Sequence, residues 1–453
     1  MARKKNEKKK AGGFGMEIHP HSAGVDLGAE ELVVAVGQEK SQDNVKTYQT
    51  HTPALFDLRD WLLELKIETV AMESTGNYWI APYQILEDAG IKVFLVNARH
   101  VKAVPGKKTD VNDAQWLQYL HQVGLLKSSF RPSNEIASLR YLMRHRASLV
   151  EENSRHLLHM QKVLTEMNLK LHHVFSDLDG QSAMAIIEAI LEGERDADQL
   201  WELRNPRCKS TKEEFKNAIV GDWREEYLFV LEQCLGSWKQ GQKKVKECDE
   251  KIEELVKKVD PKDPPKSNCP PSRKKKSTGK NDLSFPIRDE AWKWYGVDLT
   301  AIDGLGSGFL SVLMSEVGTG LDLLENFKSP HAFASWLGLC PTNKITGGKV
   351  FKSRTRKGAN RLAQAFRMAA FSLNHNKSEI GNYTRKMKGR LGKAEGITAV
   401  AHKLARVVYT LIKIREPYDE KKLFMPDEKT VQRRAKYLQA QAEKLGLKLV
   451  PAG

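Results

Sequence analysis

An α/β domain followed by mostly helical regions is the fold class that three features of this 453-residue chain predict. Between Ile18 and about Phe130, short apolar runs alternate with helical ones, as in α/β units. From Ile136 to Met167, apolar residues return at seven-residue spacing, the mark of a long helix with a seam. From Pro286 to about Ile414 the pattern is again mostly helical.

The elements follow in chain order. Residues 1–16, rich in Lys and Gly, read as a disordered basic tail able to touch phosphate. In the domain expected at 17–130, Ala23–Val36 reads as a hairpin of two strands and Thr69–Met72 as a further strand. Tyr83–Ala89 reads as a helix, and Lys92–Val96 as a strand leading to a helix over Asp110–Leu120. Together these make a small α/β domain with a mixed sheet.

Residues 131–260 are expected to form a helical coiled-coil region. Ile136, Met143, Val150, Leu157 and Leu164 fit heptad position a, and Leu139, Arg146, Asn153, Met160 and Met167 fit position d. Arg146 and Asn153 in that seam cost stability but fix register or partner choice. Leu231, Trp238, Val245 and Ile252 mark a second amphipathic stretch, either an antiparallel mate or an oligomer surface. Residues 176–224 are charged, mostly helical and without a functional signal. The Pro-, Lys- and Ser-rich segment 261–285 reads as a linker or exposed loop, with Arg273–Lys276 adding phosphate contact. A C-terminal domain is expected at 286–420, and residues 421–453 carry a last polar helix at 429–446 and a tail.

Composition narrows the partner. A formal charge of +16 and a pI near 9.4 favour a polyanion, nucleic acid first and an anionic membrane surface second. No stretch approaches the length of a membrane span, and the basic N-terminus leads into glycines rather than an apolar signal core, so a soluble intracellular protein is expected. Cys208, Cys234, Cys248, Cys269 and Cys340 are scattered without a CxxC pair, which argues against zinc and suits a reducing cytoplasm.

Four carboxylates form the first candidate site. Asp26 lies in AGVDLGAEELVVAV, Glu73 follows the apolar strand TVAM, and Asp110 and Asp113 open a helix in KKTDVNDAQWL with spacing that puts both on one face. Each has an ordinary explanation: a hairpin residue, a solvated strand end, an N-cap with a carboxylate in the first turn. Together they offer the oxygen ligands that two hard divalent cations need, with positions left for phosphate and water. The set resembles the DEDD carboxylates of the RuvC branch of the RNase H-like fold at the N-terminus of IS110-family transposases. A hairpin beginning GVDLG also opens actin-like sugar kinases, but no later Gly-rich adenosine loop follows and the basic excess has no role there.

The C-terminal domain adds two motifs. In LTAIDGLGSGFLSVLMSEVG, Gly304, Gly306 and Gly308 are expected in a turn between two apolar helical segments, resembling a helix-hairpin-helix that presents backbone N–H groups to phosphate. An ordinary helical turn with permissive glycines is the alternative. The segment FASWLGLCPTNKITGGKVFKSRTRKGANRLAQAFRMAA resembles the second block of IS110-family transposases, where the catalytic serine precedes paired glycines. Here that position holds Thr346, followed by Gly347 and Gly348. Threonine keeps an attacking hydroxyl, though its methyl restricts χ1. Ser353 is a weaker candidate. The paired glycines are expected to let the backbone approach DNA, and Lys349, Lys352, Arg354, Arg356, Lys357 and Arg361 to contact phosphate.

The resemblance implies a recombinase in which the carboxylates and Mg2+, or Mn2+ in its place, position a phosphate that the C-terminal hydroxyl attacks. It also implies donor and target DNA, a structured guide RNA, and dimers that pair into tetramers. Two alternatives remain: a nuclease or junction resolvase using metal-activated water, and a non-catalytic nucleic-acid-binding protein derived from a transposase.

Overall fold

The computed structural model describes residues 17–74, 76–97, 101, 113–272, 279–356, 358, 360–421 and 428–447. The expected basic tail, Asp110, the run Arg273–Lys276 and Lys357 lie outside the described residues. The chain divides into two compact units, Met1–Arg131 and Pro132–Gly453.

The first unit is a five-stranded sheet of order β3-β2-β1-β4-β5. The strands are β1 (Ser22–Leu27), β2 (Glu31–Val36), β3 (Val45–Gln49), β4 (Thr69–Glu73) and β5 (Lys92–Val96). β1–β2 and β2–β3 run antiparallel, whereas β1–β4 and β4–β5 run parallel. The tight β1–β2 connection closes through Gly28 N–H donating to Glu31 O at 2.9 Å. Helices α1 (Thr52–Glu64) and α2 (Ile80–Asp88) bury Leu55, Leu58, Leu62 and Leu86 against Val25, Val70 and Met72 on one face. Helix α3 (Asp113–Gln122) covers the other, with Leu117 and Leu120 against Ala71 and Val96. β3 and α1 occupy a stretch where the sequence reading placed no element, and α2 begins at Ile80 rather than Tyr83.

The second unit begins with α4 (Asn134–Glu166), whose N-cap Ser133 accepts from Ile136 N. It packs along α9 (Glu225–Lys258). Cys248 Sγ donates to Leu142 O, Arg146 pairs with Asp249, and the Asn153 amide meets Trp238 O and Gln242. Rising numbers on α4 thus meet falling numbers on α9, so the second amphipathic stretch is an antiparallel mate within the same chain. Between them, α5 (Leu171–Val174), α6 (Gln181–Leu191), α7 (Ala197–Glu202) and α8 (Lys212–Ala218) enclose a core of Met160, Val163, Met167, Ile186, Ile187 and Phe215.

Arg146 does more than occupy the seam. Its guanidinium also donates to Asn281 O at 3.1 Å and Asp282 O at 2.9 Å, while Asp249 Oδ2 accepts from Ser284 N at 3.0 Å. Within the segment read as a linker or exposed loop, residues 279–285 are held to the helix pair by these bonds, with Phe285 buried. A buried charge is tolerable there because every partner oxygen is supplied by a fixed neighbour.

The rest of the unit comprises α10 (Ile287–Tyr295), a 3-10 turn at Leu299–Ala301, α11 (Ser307–Val317), α12 (Gly320–Asn326) and α13 (Pro330–Trp336). A hairpin of β6 (Pro341–Thr346) and β7 (Lys349–Thr355) follows. Then come α14 (Arg361–Ser372), α15 (Glu379–Leu391), α16 (Lys393–Ile414) and α17 (Glu428–Lys444). Tyr295, Phe333, Phe366 and Tyr409 are fully buried large side chains of this part. α4 also grips the C-terminus of α11: Arg140 donates to Ser315 O and Glu316 O, and Arg144 to the Glu316 carboxylate at 2.9 Å. Cations at a helix C-terminus complement its dipole. Among the described residues, no helix is long and apolar enough to cross a membrane.

Candidate active site

In the first unit, the register of two parallel strands sets the carboxylates. The last paired positions of β1 and β4 are Val25 and Met72, so Asp26 and Glu73 follow side by side at the C-terminal ends of neighbouring strands. Paired positions share a face, and adjacent strands lie about 4.8 Å apart. Both residues are partly exposed, at the point where the buried part of each strand ends.

Helix α3 brings Asp113 to the same end. Its C-terminal His121 bonds Thr69 Oγ1 at 3.0 Å, and Gln122 O accepts from Ile18 N and His19 N at 2.9 and 3.0 Å. Thr69 is the first residue of β4 and pairs with Ser22, the first of β1. The helix therefore runs antiparallel to both strands, and its N-terminal residue, Asp113, lies toward the strand ends that carry Asp26 and Glu73. Gly24 explains how the helix fits so close: a Cβ there would stand 2.3 Å from both Ala114 O and Gln118 N. Asp26, two positions on, faces the same side as Gly24. Among the described residues, no three His, Cys, Asp or Glu side chains form a group able to hold a metal ion. Asp110, the fourth expected carboxylate, lies outside them.

His121 is wholly buried at the far end of α3 from Asp113, stacked on His19 at 4.5 Å and tilted against Phe94 at 4.6 Å. Burial, helped by the neighbouring His19, pushes its pKa down to about 4. The ring is accordingly neutral at pH 7, and sequence reasoning gave it no role. Its signal was available, since a His on the apolar side of an amphipathic helix is a core residue.

In the second unit, Thr346 is the last residue of β6 and pairs with Lys349 across a two-residue loop. Gly347 and Gly348 have φ of +57° and +75°. Positive φ at both central positions is what the favoured two-residue hairpin turn demands, and glycine meets it without strain. The pair is thus a geometric requirement of the turn rather than a flexible point. Nothing lies within 4 Å of a Cβ built on either, so the tip stands in open space. Thr346, Lys349, Ser353, Arg354, Arg356 and Arg361 are all exposed, and Arg361 opens α14 behind its N-cap Asn360. Lys352 lies on β7, paired with Lys344. The hairpin lies within a domain that the sequence reading gave as mostly helical. Just before the hairpin, burial pushes the Cys340 thiol up, and Arg356 and Arg406 partly offset it.

The three glycines of the expected helix-hairpin-helix have different roles. Gly304, at φ +83°, passes so near α14 that a Cβ would stand 2.8 Å from Ala369 O. Gly306 is the N-cap of α11 and Gly308 lies in its first turn, both facing open space. The element before the turn is one 3-10 turn, not an apolar helix. All three glycines border a cavity of about 350 Å³ shared with Met368 and Ser372 of α14. Asp282 stands at this helix start, accepting from Ser307 Oγ at 2.6 Å.

The class of protein comes from the family comparison, whose two matches fall one mostly on the first unit and one within the second. Residues 23–169 match the N-terminal model of IS110 elements, described as transposase, and residues 298–385 match the model described as the IS116/IS110/IS902 transposase family. The chain belongs to the IS110 family of transposases. No curated protein matches it.

Proposed function

We propose that this transposase cleaves and exchanges DNA strands through a covalent bond between Thr346 and a DNA phosphate. The observation that carries the reading is the register of β1 and β4, which sets Asp26 and Glu73 side by side, with α3 bringing Asp113 to the same edge. A mixed sheet with carboxylates at the ends of its central parallel strands also supports an RNase H-like first unit.

The donor set is oxygen only, which suits Mg2+ and equally Mn2+. Asp26 and Glu73, side by side, are the pair that would hold an ion. Among the described residues, Asp113 at the same sheet end is not gathered with them into a group of three; with Asp110, three residues before it in sequence, it would add ligands. Bound there, metal ions would supply positive charge to the oxygens of the scissile phosphate. Thr346 Oγ then forms a bond to phosphorus, and the bond from phosphorus to one deoxyribose oxygen breaks. The sugar oxygen leaves as a hydroxyl, taking up a proton through solvent as threonine gives one up. The phosphodiester energy is kept in the protein–DNA bond and used on rejoining. Lys349, Arg354, Arg356 and Arg361 neutralise phosphates around the hydroxyl. A structured RNA from the element reads donor and target by base pairing, and dimers pairing into tetramers bring the two DNAs together.

A second reading, a nuclease using metal-activated water, is favoured by Thr346 itself, since a β-branched residue at a strand end needs no chemical role. Recombination between donor and target plasmids, with the element's RNA supplied, separates the two. Thr346→Ala and Asp26→Ala should each lower recombination by roughly a thousand-fold or more, and Thr346→Ser should retain it. Denaturing gels should show a protein–DNA adduct for the wild type alone. Cleavage that survives Thr346→Ala with no adduct would establish the nuclease instead.

A further inference from the structure

We propose that Phe351 is a wedge that stacks into a base step of duplex DNA beside the phosphate offered to Thr346; the inference rests on the DNA-processing reading above and extends it. Among the described residues Phe351 is the most exposed large hydrophobic, at 81%, and Ile345 on the facing strand is 63% exposed. Two large apolar side chains this exposed on one short hairpin are free to make contact with a partner.

The local backbone explains how the ring comes to be displayed. Ile345 pairs with Val350 and Lys344 with Lys352, so Phe351 is the extra residue of a β-bulge with no position opposite it. A bulge re-aims a side chain and sharpens the local twist. The same register sets Thr346 beside Lys349 and Thr342 beside Arg354 on one face of the ribbon. The hydroxyl and the ring are thus five positions apart on a single two-stranded projection.

Charge selects the occupant. Residues 337–360 contain Lys344, Lys349, Lys352, Arg354, Arg356 and Lys357 and no Asp or Glu. A second copy of the hairpin would set like charges against each other, which disfavours a protein contact between copies. A polyanion with flat apolar faces inside it meets both demands at once. Two-stranded ribbons enter DNA grooves, and apolar side chains driven between base pairs unstack a step and kink the duplex. Every base offers a π-face, so such a wedge is indifferent to sequence, in keeping with a guide that does the reading.

The test uses the full chain and mixed-sequence duplexes, either fully paired or carrying one mismatched step. A mismatch has already met part of the unstacking cost, so the wild type should prefer it by roughly ten-fold in Kd. Phe351→Ala should lose that preference while still binding the paired duplex through its basic residues, and Phe351→Trp should keep it. Equal preference in wild type and Phe351→Ala would overturn the wedge while leaving the DNA reading intact. A change in sedimentation for Phe351→Ala, with the mismatch preference untouched, would make Phe351 a protein contact and also overturn it. Failure of the wild type to bind any duplex would bring down the broader reading and the wedge with it.

Discussion

The carboxylate edge of the first unit and the hairpin of the second place reactive groups by opposite means. Asp26 and Glu73 sit one residue beyond Val25 and Met72, both fully buried, so their spacing is inherited from a packed sheet. Thr346 sits on a two-stranded ribbon whose side chains near the tip are exposed, and its position comes from backbone alone: two positive-φ glycines and one bulge. The metal site proposed for the first unit would need ligands fixed to within fractions of an ångström, and a core provides that. The ribbon proposed to enter a DNA groove would instead need to be narrow, charged and bare. The contrast predicts that the first site fails through stability and the second through function with the fold intact.

Gly24→Ala is the strongest way to break that comparison. The added methyl would stand 2.3 Å from backbone atoms of α3, which no side-chain rotation can relieve, so the helix must lift from the sheet. Overpacking of this kind costs about 3 kcal/mol. Hydrogen exchange of the full chain should show faster exchange in β1, β4 and α3 with no change in β6 and β7. Recombination should fall even though no carboxylate is altered. Unchanged protection in β1 would show that the helix–sheet contact does not hold the edge.

A gentler perturbation of the same unit is acid. Neutral, buried His121 has a pKa lowered to about 4, below the ordinary value of 6.5. The unfolded chain therefore takes up a proton at higher pH than the folded one. Its contribution is fully present above about pH 6.5 and is lost as pH falls toward 4, on the order of 3 kcal/mol in total. Urea denaturation at pH 7.5 and at pH 4.5 should show that loss in the first unit. His121→Gln should flatten the dependence in this window, and an equally steep profile in that variant would assign it to other groups.

Much of the carboxylate edge was legible because strands announce themselves by apolar runs, and Asp26 and Glu73 end two of them. What a local pattern does not carry is that β1 and β4, separated by β2, β3 and α1, are parallel neighbours. β3 escaped because it is a short edge strand with little burial; α1 had a Pro at its start and Leu55, Leu58 and Leu62 at helical spacing, and was readable. The heptad located Arg146 in the seam, but its partners Asp249, Asn281 and Asp282 lie far along the chain. The β6–β7 hairpin hid for another reason. Both faces meet solvent near its tip, so the usual alternation of apolar and polar residues is missing, and only the Gly-Gly pair betrays the turn.

That pair provides the smallest and most selective test. Gly347→Ala and Gly348→Ala each place a Cβ at positive φ, which disfavours the turn by about 1 kcal/mol. The tip touches nothing else, so the melting behaviour of the second unit should hardly move. Under the proposed mechanism, recombination depends on where the turn sets Thr346 relative to Lys349, and should fall by roughly ten-fold or more. Asn at position 347 tolerates the left-handed region better than Ala and should recover part of the activity. Loss of melting temperature in parallel with activity would mean that the hairpin is held by the fold around it, and that the two regions are less different than their geometry implies.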